Sequence, residues 1–138
     1  MSKALIAVAA VALVTATTAL AGGWATVTLS STPKGLAAGE PWVVNITVLQ
    51  HGNPNTPLCC LRPTVTIRKV AGARSTAATV LQPLIFKARP TGRTGVYRAR
   101  VVFPTSGTWR YAVYDGFTMY GGARTHTFAP VRIAPPGT

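Results

Sequence analysis

Five side chains in this chain have the chemistry of a soft-metal site: His51, Cys59, Cys60, Met119 and His126. Thiol, thioether and imidazole together suit copper(I), so copper is the cofactor that this donor set admits. No motif joins them, since the sequence has no C-x-x-C, no His-x-His and no methionine repeat. His51 with Cys59 and Cys60 would make a Cys2His cluster if the loop from Gly52 to Leu58 folds back on itself. Each donor also has an ordinary expectation. His51 reads as a polar turn residue in Gln50-His51-Gly52, His126 opens a strand, and Met119 plugs an apolar loop between Phe117 and Tyr120. Cys59 and Cys60 are adjacent, which excludes a staple between strands. In an oxidising compartment they form a vicinal disulfide, stay free, bridge two molecules or bind a soft metal, the vicinal disulfide being the first expectation.

Hydrolytic chemistry is poorly supplied. A general base or a triad needs a carboxylate positioned near it, and the chain has only Glu40 and Asp115. Both read as turn residues, Glu40 in Gly39-Glu40-Pro41 and Asp115 in the tight-turn pair Asp115-Gly116. The expectation is a protein that is not an enzyme. Against those two acids stand 14 Lys and Arg residues, a formal net charge of +12. The cations are scattered, with no dense tract and no RNA-binding aromatic motif, which points away from nucleic acid. Outside a membrane the remaining polyanions are lipid head groups and cell-wall polymers. Arg98, Arg100 and Arg110 are the candidate contacts for them. A second candidate surface is the loop carrying Phe117, Met119 and Tyr120 between Gly116 and the Gly121-Gly122 pair, a glycine-hinged aromatic segment suited to a protein partner.

The elements that must hold these residues follow an exported pattern. Met1-Ser2-Lys3 precedes an uncharged run from Ala4 to Ala21 that ends in Ala19-Leu20-Ala21, the pattern of a helical signal peptide over residues 1–21 with an A-x-A cleavage site. Left uncleaved, the same run would act as a membrane anchor. The protein is therefore expected in the periplasm, outside the cell, or on the outer face of the cytoplasmic membrane. Residues 22–134 read as one domain, and 135–138 as a frayed tail.

Within that domain, apolar alternation of period two recurs between Gly/Pro turns, and no window has a helical period. Strands are predicted over Trp24 to Leu29, Trp42 to Gln50, Thr64 to Val70, Thr79 to Ala88, Gly95 to Phe103, Thr108 to Tyr114 and Thr125 to Ile133. About seven strands in this length predict an all-β, immunoglobulin-like antiparallel sandwich. From Gly95 to Val113 the pattern reads as a half-buried hairpin, with Tyr97, Ala99, Val101, Phe103, Trp109, Tyr111 and Val113 inward and the arginines outward. Pro83 and Pro130 place their strands at an edge or at a break, because proline donates no ladder hydrogen bond.

Gly39-Glu40-Pro41-Trp42, the run from Val48 to Gly52, the run from Pro63 to Ile67 and the Gly95 to Val113 segment together resemble the YtkA-like domains, small exported bacterial domains of immunoglobulin-like topology. The likeness covers about residues 24 to 116, and its most specific part is Gly-x-Tyr-x-Ala followed by Phe-Pro-x-x-Gly-x-Trp. FixH-like and CopC-like domains are similar in this hairpin. The resemblance implies a sandwich outside the cytoplasmic membrane. It also implies a copper role, since some relatives are associated with copper handling or respiratory oxidase assembly. It supplies no catalytic motif. The chain departs from the CopC-like pattern, because cleavage after Ala21 leaves Gly22-Gly23-Trp24 at the N-terminus and no histidine there.

Overall fold

Alternation in the sequence becomes alternation in burial along each long strand of the computed structural model, which describes residues 23–71 and 82–137. In β2 (Pro41–Gln50) Trp42, Val44, Ile46 and Val48 are buried while Val43 stays 52% exposed. The same rhythm buries Val65 and Ile67 of β3 (Thr64–Lys69) and Tyr97, Ala99 and Val101 of β6 (Val96–Val102). It also buries Trp109, Tyr111 and Val113 of β7 (Gly107–Tyr114). With β1 (Ala25–Leu29), β4 (Leu84–Lys87), β5 (Arg89–Pro90), β8 (Thr125–Thr127) and β9 (Val131–Ile133), these strands form two antiparallel sheets. The first runs β1-β2-β6-β5, the second β4-β3-β7-β8, and β9 also pairs with β7. The inner faces share one core, so the molecule is the expected all-β antiparallel sandwich.

The segment read as a hairpin is not one. β6 pairs with β2 and β5 in the first sheet, whereas β7 pairs with β3, β8 and β9 in the second. The turn from Phe103 to Ser106 carries the chain over the end of the core instead of folding β7 back onto β6. Both apolar faces therefore look at each other across the sandwich. Alternation tells which side chains are buried and is silent on which strand pairs with which.

An aromatic seam closes that arch. Phe103 lies edge-on to Trp109 with ring centroids 5.5 Å apart and 6.5 Å from Trp42, and Trp42 lies edge-on to Tyr111 at 5.4 Å. Each indole N–H leaves the core satisfied: Trp42 Nε1 donates to Ser31 Oγ and Trp109 Nε1 donates to the Thr105 carbonyl, both at 2.9 Å.

Two predicted strands divide. The one predicted over Thr79 to Ala88 begins outside the described residues. Its described part forms β4 immediately after Pro83, then passes through Ala88 into β5 of the opposite sheet. The one predicted over Thr125 to Ile133 splits into β8 and β9, with Phe128, Ala129 and Pro130 between them. The signal peptide reading of residues 1–21, together with Gly22 and Thr138, lies outside the described residues.

Phe103 has contacts on both sides of the arch. Phe103→Ala should cost about 3–5 kcal/mol, the usual range for emptying a buried phenylalanine site. Chemical denaturation would measure it. A loss below about 1 kcal/mol would mean that the seam does not hold the two sheets together.

Candidate functional site

The five soft donors occupy separate places. His51 follows β2 in a turn with φ 51°, its ring lies tilted against Trp24 at 5.0 Å between centroids, and its backbone N–H donates to the Trp24 carbonyl. His126 lies in β8 with Nε2 2.8 Å from Asp115 Oδ2. Met119 is 61% exposed in a short 3-10 turn, Met119–Gly121. Cys59 and Cys60 are free, exposed thiols, not the vicinal disulfide first expected. Among the described residues no three His, Cys, Asp or Glu side chains converge on a metal-sized site, so the Cys2His cluster is not assembled.

The dicysteine is nonetheless held with care. Tyr97 Oη donates to the Leu58 carbonyl at 2.6 Å and accepts from the Leu61 N–H at 3.0 Å, pinning the chain on both sides of Cys59-Cys60. Cys60 takes φ 67°, a left-handed conformation that side chains other than glycine rarely adopt. The pair borders a hollow of about 220 Å³ with Arg93, Thr94 and Tyr97. Cys59, by hydrogen bond and then by charge, pushes the Cys60 thiol above its ordinary range, because two neighbouring thiols resist double ionisation.

Asp115 is the residue that sequence reasoning missed. It is fully buried, not part of a two-residue hairpin turn. Its Oδ1 accepts from the Phe117 N–H at 2.9 Å, both carboxylate oxygens lie 3.3 Å from the Arg124 N–H, and Oδ2 meets His126. Its own N–H donates to the Arg124 carbonyl at 3.0 Å, which closes the loop at its base. Gly116 makes the bend at φ 69°, where a Cβ would lie 3.1 Å from the Arg62 backbone. A histidine eleven residues downstream in an alternating strand was the one available signal for this partnership.

That loop corrects a surface assignment. Phe117 is 2% exposed and belongs to the core, because the Asp115 cap turns it inward, while Met119 and Tyr120 remain outside at 61% and 73%. The arginine candidates divide as well. Arg98 and Arg100 lie on the outer face of the first sheet, and Arg110 lies on the outer face of the second.

Arg98 and Arg100 line a groove of about 770 Å³ beside the point where the chain crosses between sheets. Val43, Ile85 and Phe86 supply its apolar wall, and Lys87 and Arg89 join the two arginines. Arg89 and Arg98 are registered partners on neighbouring strands, so two cations stand directly opposite each other. Such a pairing is destabilising. No acid relieves it: Asp115 is buried elsewhere, and Glu40 Oε2 accepts from the Ala37 N–H in a turn. Within the chain, Arg98 Nε donates to Asn45 Oδ1 at 3.1 Å. The arrangement can receive a negatively charged group that also offers some apolar surface.

Compared with models of protein families and with curated proteins, the chain matches none.

Two outcomes follow from the buried polar groups. Asp115→Ala strands two backbone N–H groups and the His126 ring, and should lower stability by about 3 kcal/mol in chemical denaturation. Burial chiefly holds the Tyr97 hydroxyl above the ordinary tyrosine range, against the smaller opposing pull of the Leu61 N–H, and burial raises Tyr111 likewise. The folded chain thus keeps protons that the unfolded chain releases near pH 10. Stability from these groups is complete below about pH 10 and falls as the pH rises further, which a series of thermal midpoints would follow.

Proposed function

We propose that this protein is an exported, non-enzymatic binding module of the bacterial cell envelope that captures an anionic component through the groove of Lys87, Arg89, Arg98 and Arg100. The carrying observation is the registered Arg89 and Arg98 pair, which neither acidic side chain, Glu40 or Asp115, neutralises. An arrangement that costs the fold stability is accounted for when a ligand supplies the missing negative charge. Arginine suits the task, since its planar fork grips phosphate and carboxylate oxygens in pairs. Val43 and Ile85, 52% and 63% exposed at the groove wall, add apolar contact beside the charges. The signal-peptide pattern of residues 1–21 and the resemblance to YtkA-like domains support the envelope location.

Titration with inorganic tripolyphosphate tests the groove. Arg98→Gln with Arg100→Gln should weaken binding about tenfold or more, as the loss of two charge-assisted contacts implies. Added salt should weaken binding to the unaltered protein more than to the variant. Equal affinity of the two proteins at low salt would remove this reading.

A further inference from the structure

We propose that the occupant is a linear phosphate polymer, which follows a basic band from the groove around the edge of the sandwich and onto the outer face of the second sheet. The inference rests on the groove reading and extends it to ligand class.

The band is built by register. Lys87 belongs to the groove, yet it stands opposite Thr64 on β3, with Ile85 opposite Thr66. Those threonines are partners of Tyr114 and Ala112 on β7, so they share the outer face of the second sheet. Further along the same face, Arg68 stands directly opposite Arg110, a second unrelieved like-charge pair. Arg132 of β9 lies opposite Thr108, one outward position from Arg110. All three arginines are exposed. Thr64 and Thr66 stand between Lys87 and Arg68 along β3, and Thr108 stands opposite Arg132; their hydroxyls have no side-chain hydrogen bond among the described residues, and each can donate to a phosphate oxygen.

The geometry selects the occupant. The two outer faces of a sandwich point in opposite directions, with sheets about 10 Å apart between them. A flat lipid surface reaches one face and leaves the other pair of arginines facing water. A flexible chain can turn the corner where Ala88 links β4 to β5 and neutralise both. Every cation of the band except Lys87 is arginine, whose fork matches tetrahedral oxyanions. A polymer that engages both faces gains affinity through effective concentration without any new kind of contact.

The test compares long-chain polyphosphate with tripolyphosphate on the full chain. Long chains should bind about a hundredfold tighter, a gain of the size that linked sites provide. Arg68→Gln with Arg110→Gln should erase most of that gain while its thermal midpoint stays at or above that of the unaltered protein, since a repulsion is removed. Lys34→Gln with Arg124→Gln makes the same change in net charge off the band and should keep the gain. If the first variant keeps the long-chain gain, or if the off-band variant loses as much, the band is wrong. Tighter retention on phosphatidylglycerol vesicles than on long-chain polyphosphate would also overturn it. Failure of the groove reading has a different signature: Arg98 and Arg100 then have no effect on tripolyphosphate, whatever the long chains do.

Discussion

The arch between Phe103 and Trp109 is the constraint on which the rest of the molecule depends. It places β6 and β7, which are consecutive in sequence, in opposite sheets, so that their apolar faces form the two walls of one core. Once those faces are inward, the pleat leaves no choice for the residues between them. Arg98 and Arg100 must face outward from one sheet and Arg110 from the other. The same packing that stabilises the sandwich therefore distributes positive charge over both of its outer surfaces.

The sequence has only two acidic side chains, and the fold uses both away from the groove. Glu40 closes a turn before β2, and Asp115 is spent inside, gathering Phe117, Arg124 and His126 at the base of one loop. Neither acidic side chain sits beside the surface arginines. Each registered pair, Arg89 with Arg98 and Arg68 with Arg110, costs the fold something on the scale of about 0.2–1 kcal/mol for cross-strand contacts. The core absorbs such a cost readily, and the two like-charge pairs remain on the surface.

Tyr97 and Asp115 hold two exposed loops by the same means. In each, one buried polar group makes several hydrogen bonds to backbone on either side of an exposed segment, the dicysteine in one case and Met119 with Tyr120 in the other. Fixing the ends of a loop from within the core leaves its tip free of packing, which is how a rigid sandwich carries variable surface chemistry.

By itself the sequence determined what each side chain has to do about water. Period-two alternation marked Trp42, Val44, Ile46, Val48, Tyr97 and Trp109 as inward and the arginines as outward, and the prolines marked the places where strands begin, cross or break. Only the tertiary structure determined who stands beside whom. Neither the separation of β6 from β7, nor the opposition of Arg89 and Arg98, nor the burial of Phe117 and Asp115 has a local signature, because each depends on pairing between segments distant in the chain. Within a strand, inward or outward facing follows from the pleat, and alternation records it. Pairing is a property of two segments, and a single segment carries no record of its partner.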